Sequence, residues 1–136
     1  MLTTCELEST LKLNKIDCLS FIMAAVCHDI GHDGFTNSYH VNTISKRAID
    51  SNDVSVQETY HVSEMFRILN QDKYNFTKQL SKDQFKLFRQ RTIGFILATD
   101  MAKHATEVET LSTMLSTNEI SDGQNINKLI DDVEES

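Results

Sequence analysis

Asn14-Lys15-Ile16-Asp17-Cys18-Leu19-Ser20-Phe21-Ile22-Met23-Ala24-Ala25-Val26-Cys27 is the stretch that decides the fold class. Asn14 is a good N-cap, and Asp17, three residues on, puts a carboxylate where the helix dipole favours it. Ile16, Leu19, Ile22, Met23, Val26 and, just beyond, Ile30 recur at helical spacing. Ala24 and Ala25 permit close packing. From Cys18 to Cys27 the segment is nearly apolar all round, which predicts a central, buried helix.

The rest of the chain has the same period. It contains no proline and only four glycines, and residues that break helices are thus scarce. An all-α helical bundle is expected. With 136 residues and 40% apolar content, the chain suits one modest domain. Gly31 and Gly34 predict a loop to about Asn37, then a short helix over Ser38 to Arg47. Asp50-Ser51-Asn52-Asp53 is a polar turn. Ser55 with Glu58 fits a capping box for a helix to about Leu69, with Val56, Tyr60, Met65, Phe66 and Leu69 inward. Ser81 with Gln84 starts another, carrying Phe85, Phe88, Ile93, Ile96 and Leu97. Thr99-Asp100 caps a further helix through Met101, Val108, Leu111 and Leu115. Ile126, Leu129, Ile130 and Val133 suggest a last short amphipathic helix. Residues 1–13 and 118–136 are poorly defined by pattern.

A net charge of −7 argues against a general nucleic-acid binder, which needs a basic face. It is compatible with a phosphate substrate, because divalent cations can supply the positive charge. The three cysteines, Cys5, Cys18 and Cys27, match no zinc knuckle or disulfide framework. Cys27 reads as a small buried hydrophobe in a reducing compartment. No apolar segment has the length of a membrane span, and the N-terminus lacks the basic start of a signal peptide. A soluble, intracellular and cytoplasmic chain is expected.

His28-Asp29-Ile30-Gly31-His32 follows directly on the apolar helix. Burying such groups is costly unless they are paired or bound to something. On a helix His28 and His32 share a face; Asp29 reaches the same cation only if the helix ends, which Gly31 allows. Imidazole suits zinc, and carboxylate suits zinc and magnesium. The plain alternative is that His28 caps the helix C-terminus while Asp29 makes a surface ion pair. A zinc-protease reading, His-Glu-x-x-His with aspartate for glutamate, fails on reach and on its extension, where Phe35 and Ser38 stand.

The words that follow are more specific. His28-Asp29-x-x-His32-x-Gly34-x-x-Asn37 resembles the metal-site signature H-D-x-x-H-x-G-x-x-N of class I 3′,5′-cyclic-nucleotide phosphodiesterases. Phe21 to Cys27 looks like the apolar helix that leads into it. Asn52-Asp53-Val54-Ser55-Val56-Gln57-Glu58-Thr59-Tyr60-His61 is similar to the family's N-D-x-S-V-L-E-N-H-H, and Ile96-Leu97-Ala98-Thr99-Asp100-Met101-Ala102-Lys103-His104 to its I-L-A-T-D-M-x-x-H. The three motifs stand in order within residues 16–108.

The resemblance implies a partial catalytic domain spanning 1–136. It implies hydrolysis of cAMP or cGMP to the 5′-monophosphate in signal transduction. Two divalent cations, zinc and magnesium (or manganese), would hold the phosphate, with a hydroxide attacking phosphorus in line and a histidine protonating O3′. Carried over by position, His28 and Asp29 are metal ligands. His32 and Glu58 hold metal-bound waters. Asp100 and His104 support the pocket. Simpler roles stand beside these: Glu58 completes its capping box, Asp100 is an N-cap, His104 is a surface histidine, His61 is structural and His40 is neutral surface.

The family's H-N-x-x-H proton-donor motif would precede the apolar helix, and no histidine precedes His28. The metal-binding aspartate of A-D-x-S and the glutamine and aromatic purine clamp would follow the present C-terminus. No catalytic residue is therefore assigned, and the chain alone is expected to be inactive. Gly31 stands where an acidic residue is common, Asp33 where proline is frequent, and Thr59-Tyr60 for Asn-His. The alternative reading is a catalytically incomplete helical interaction module derived from the same fold.

Overall fold

The computed structural model describes residues 14–116. In chain order these form α1 (Lys15–Cys27), α2 (Asn37–Asn42), α3 (Lys46–Ser51), α4 (Val56–Leu69), a 3-10 turn (Phe76–Gln79), α5 (Lys82–Leu97) and α6 (Met101–Ser116). All regular elements among the described residues are helical, as expected. The helix expected over Ile126 to Val133 lies outside them, as do Cys5 and the chain ends.

Local chemistry explains the helix starts. Asn14 Oδ1 accepts from the backbone N–H groups of Ile16 and Asp17, while Asp17 accepts from Asn14 N–H, a complete capping box. Ser81 and Gln84 make the same reciprocal pair at α5. The single helix expected over Ser38 to Arg47 is instead two. Ile44 adopts φ 49°, and Ser45 caps α3 through Ala48 N–H. α3 then runs into the expected turn and ends at Asn52, which is left-handed.

The core lies where α1, α4 and α5 meet. Ala24 and Cys27 of α1 pack with Val62, Met65 and Leu69 of α4 and with Phe88 and Ile96 of α5. Phe88 is fully buried, ringed by Phe66, Phe76 and Phe85 at centroid distances of 6.4, 6.1 and 6.5 Å. Removing a side chain such as Phe88, Met65 or Ile96 from water stabilises the fold by about 1.5–3 kcal/mol each. Two buried hydroxyls are satisfied locally: Ser20 Oγ donates to Ile16 O at 2.7 Å, and Thr92 Oγ1 to Phe88 O at 2.7 Å.

The expectation of an α1 buried on every side is corrected. Ser20, Ala24 and Cys27 are buried, but Phe21, Ile22 and Val26 are 58%, 51% and 74% exposed. α4 and α5 cover one side of α1, and no described element covers the other. An all-round apolar pattern cannot say which side is covered. Similarly, Phe85 and Val108 are partly exposed, whereas Val56, Met65, Leu69, Phe88 and Ile96 are buried as expected.

Candidate metal centre

α1 ends at Cys27, and His28 is its C-cap. Ile30 N–H bonds to Cys27 O and His32 N–H to Asp29 O, and the chain reverses through Gly31 at φ +71°. His28 and His32 therefore do not share a helical face. The break frees Asp29 to face two histidines from different elements.

Hydrogen bonds fix how each imidazole presents itself. His28 Nδ1 lies 3.0 Å from Ala25 O and must donate, since a carbonyl can only accept. In the neutral ring Nε2 then keeps its lone pair, 3.4 Å from Asp29 Oδ2. His61, from the second turn of α4, donates Nδ1–H to Ile30 O at 2.8 Å. Its Nε2 lone pair lies 3.9 Å from Asp29 Oδ1. His32 is the reverse case: its Nδ1 accepts from Gly34 N–H at 2.9 Å, which leaves Nε2–H as a donor. His32 and His61 are stacked, with centroids 5.6 Å apart.

Asp29, His32 and His61 form a group whose candidate ligand atoms all lie within 4.8 Å of one another. His28 flanks it across Asp29. The Asp29 carboxylate is thus straddled by two imidazole lone pairs, one per oxygen, an arrangement suited to a cation on each side. His61 is 1% exposed. Burial pushes its pKa below the usual 6.5, against the opposing pull of the Ile30 hydrogen bond and the Asp29 charge.

Glu58 sits one turn before His61 on α4. Its Oε2 accepts from Asn37 Nδ2 at 2.9 Å, and Asn37 Oδ1 accepts from Gln57 N–H at 2.8 Å. The capping box expected from Ser55 and Glu58 is absent. Ser55 has φ 42° and makes no side-chain cap; its hydroxyl is drawn to Asp100 Oδ2 at 2.8 Å. Asn37 caps α4 in its place. Asp100 is buried and also accepts from Ala102 N–H at 3.0 Å, the N-cap role for α6. His104 is exposed on α6 and belongs to neither group.

Sequence reasoning missed the place of His61 beside Asp29; the signal was its position at the end of the second motif. His40, read as surface, is 4% exposed. Its Nδ1 meets Ser45 Oγ at 2.9 Å and its Nε2 lies 3.3 Å from Asp33 Oδ1. A polar network among His40, Ser45 and Asp33 cannot be seen in a helical pattern. No helix among the described residues is long and apolar enough to cross a membrane.

A family model described as 3′5′-cyclic nucleotide phosphodiesterase matches residues 1–134. The chain is 44% identical over 103 residues to the human dual specificity calcium/calmodulin-dependent 3′,5′-cyclic nucleotide phosphodiesterase 1B, covering 76% of this chain and 19% of that one. It is 39% identical over 105 residues to the human high affinity cGMP-specific 3′,5′-cyclic phosphodiesterase 9A, covering 77% and 17%. The phosphodiesterase domain of the RhoPDE fusion protein from the choanoflagellate Salpingoeca rosetta is similar in structure, with TM-score 0.78 and 32% identity, over 95% of this chain and 42% of that one. The chain thus spans about a fifth of the length of the curated relatives it matches, and about two fifths of that solved domain.

Proposed function

The chain belongs to the 3′5′-cyclic nucleotide phosphodiesterase family, and we propose that it supplies the part of that family's catalytic domain that grips divalent cations beside a cyclic phosphodiester. The substrate is a 3′,5′-cyclic nucleotide, cAMP or cGMP, hydrolysed to the 5′-monophosphate in signal transduction inside the cell.

The observation that carries this reading is Asp29 between two imidazole lone pairs, His28 Nε2 at 3.4 Å and His61 Nε2 at 3.9 Å. The His28 nitrogen with the Asp29 carboxylate fits zinc, and the Asp29 carboxylate with water fits magnesium or manganese. Bound there, the cations would act as Lewis acids and neutralise phosphate charge. His28 and Asp29 are the proposed direct ligands. His32 presents an Nε2–H donor, and Glu58, held by Asn37, presents a carboxylate; both are suited to orient water at the cations. Asp100 supports the site indirectly, by joining the starts of α4 and α6 through Ser55. His104 is assigned to the pocket by its motif position alone.

Titration of the purified chain with Zn²⁺ and Mn²⁺, followed by calorimetry, tests this. Asp29→Ala should remove binding of both ions. His28→Ala should weaken Zn²⁺ more than Mn²⁺, because imidazole suits zinc and carboxylate suits manganese. Unchanged affinities in folded variants would defeat the assignment. The exposed Phe21, Ile22 and Val26 favour a second reading, a helical interaction module; it predicts no cation binding by the wild-type chain.

A further inference from the structure

Arg47 does not appear in any of the motifs, yet its guanidinium sits where the turn after α1 meets α4. Nη2 donates to Gly31 O at 3.0 Å. Nη1 donates to Gln57 Oε1 and lies 3.3 Å from Asp33 Oδ2. The guanidinium carbon is 3.6 Å from the centroid of the Tyr60 ring, which lies beneath it. The Arg47 side chain is largely buried, at 18% exposure. Gln57, itself 3% exposed, extends the network by donating Nε2–H to Asp33 Oδ1 at 2.7 Å and to Phe35 O at 2.8 Å.

The Gly31 carbonyl matters because of where it lies in the chain. Ile30, just before Gly31, gives the carbonyl that fixes His61 Nδ1–H. His32, just after, receives Gly34 N–H on its Nδ1. Gly31 itself is left-handed, and a Cβ there would come 3.1 Å from Tyr60 Cε1. With no side chain and a broad conformational range, this residue does not hold its own orientation. Rotation of the Gly31–His32 peptide would swing His32 relative to Gly34 and His61. Arg47 holds the Gly31 carbonyl, and the Tyr60 ring lies under the guanidinium and against the side of Gly31 where a Cβ would stand. A planar fork of donors that stays charged can reach a carbonyl, an amide and a carboxylate at once while stacking on a ring; an ammonium cannot.

We propose that Arg47 is a positioning residue for the candidate metal centre: by holding the Gly31–His32 peptide, it fixes the tautomer and ring orientation of His32. Its link to cation binding rests on the function proposed above, but the positioning itself does not.

The test reads tautomers directly, by ¹⁵N long-range correlation NMR on the metal-free chain at a pH where the imidazoles are neutral. The wild type should show His32 with Nε2–H and bare Nδ1, and His28 and His61 with Nδ1–H. Arg47→Met keeps the apolar stem and removes the fork. It should convert His32 to a mixed-tautomer pattern while His28, bonded within the end of α1, stays unchanged. Arg47→Lys should fail to restore the wild-type pattern, because charge alone cannot make the three contacts. A purely structural role would lower the unfolding midpoint and leave the His32 pattern intact in the folded protein; that result overturns the proposal. Should Arg47→Met not fold, Arg47→Lys gives the same readout with the same two outcomes. Failure of Zn²⁺ titration would count against the metal assignment only, since no metal enters this experiment.

Discussion

Ser55 Oγ donates to Asp100 Oδ2 at 2.8 Å across 45 residues of sequence, in a site where both residues are buried. The bond ties the start of α4 to the start of α6. Asp100→Ala would also leave Ala102 N–H without its cap. A loss of about 2–3 kcal/mol is expected by urea unfolding, the sum of a buried charged hydrogen bond and an N-cap. Ser55→Ala should cost less. A double-mutant cycle should return a coupling of about 1 kcal/mol or more; additive effects would show the bond to be of no energetic consequence.

Asn37 makes two bonds at once, one to Gln57 N–H and one to Glu58. Asn37→Ala should destabilise by about 1–2 kcal/mol. Asn37→Asp keeps the acceptor for Gln57 N–H but turns a donor into a second carboxylate facing Glu58. It should be the worse of the two at neutral pH and should recover at acid pH or in Asn37→Asp/Glu58→Gln. Unfolding midpoints of the three variants decide it.

Backbone conformation gives two predictions of opposite sign. Ile44 is β-branched, 75% exposed and at φ 49°. Ile44→Gly should stabilise by about 1 kcal/mol, because a left-handed conformation is strained for isoleucine and free for glycine. Gly31→Ala meets both φ +71° and Tyr60 at 3.1 Å. It should destabilise by about 1–3 kcal/mol. Thermal unfolding of the pair is the check, and a destabilised Ile44→Gly would contradict the backbone geometry.

Asp33 carries a pH dependence. Burial pushes its carboxyl up, but hydrogen bonds from Gln57, Phe35 N–H and His40, with the Arg47 charge, outweigh that and hold it at about 2, below the ordinary 3.8. A carboxyl lowered in the folded state contributes stability above its unfolded pKa and loses it as pH falls through the folded value. The contribution should therefore be complete above about pH 4 and gone near pH 2. Because the side chain is partly exposed, roughly 1 kcal/mol is expected. Asp33→Asn should flatten the acid limb of the urea-midpoint curve across that window. An unchanged limb would mean that the network does not stabilise the carboxylate.

The helices were legible because local chemistry sets them. Asn14 with Asp17 and Ser81 with Gln84 cap by neighbours three residues away, and the apolar positions of α4 and α5 repeat with the helix. The failed capping box at Ser55 shows the limit. Its pattern was right for Ser-x-x-Glu, but a residue 45 positions on claimed the hydroxyl. His28, Asp29 and His32 stood out as adjacent polar groups after an apolar run, whereas the approach of His61 depends on how α4 crosses the turn after α1. Arg47 and His40 were illegible for the same reason: their partners lie on other elements. The exposed row on α1 was hidden by its own uniform apolarity.

The substitution of Asn37 for Ser55 at the head of α4 has a kinetic side. A helix capped by its own neighbour can complete its first turn alone, but the Gln57 amide must wait for a residue 20 positions upstream. That first turn can close only with the loop that delivers Asn37, at the entropic cost of closing it. Deuterium uptake at the Gln57 amide would therefore report the opening of the loop between α1 and α2, and ordinary end-fraying of α4 would not set its rate.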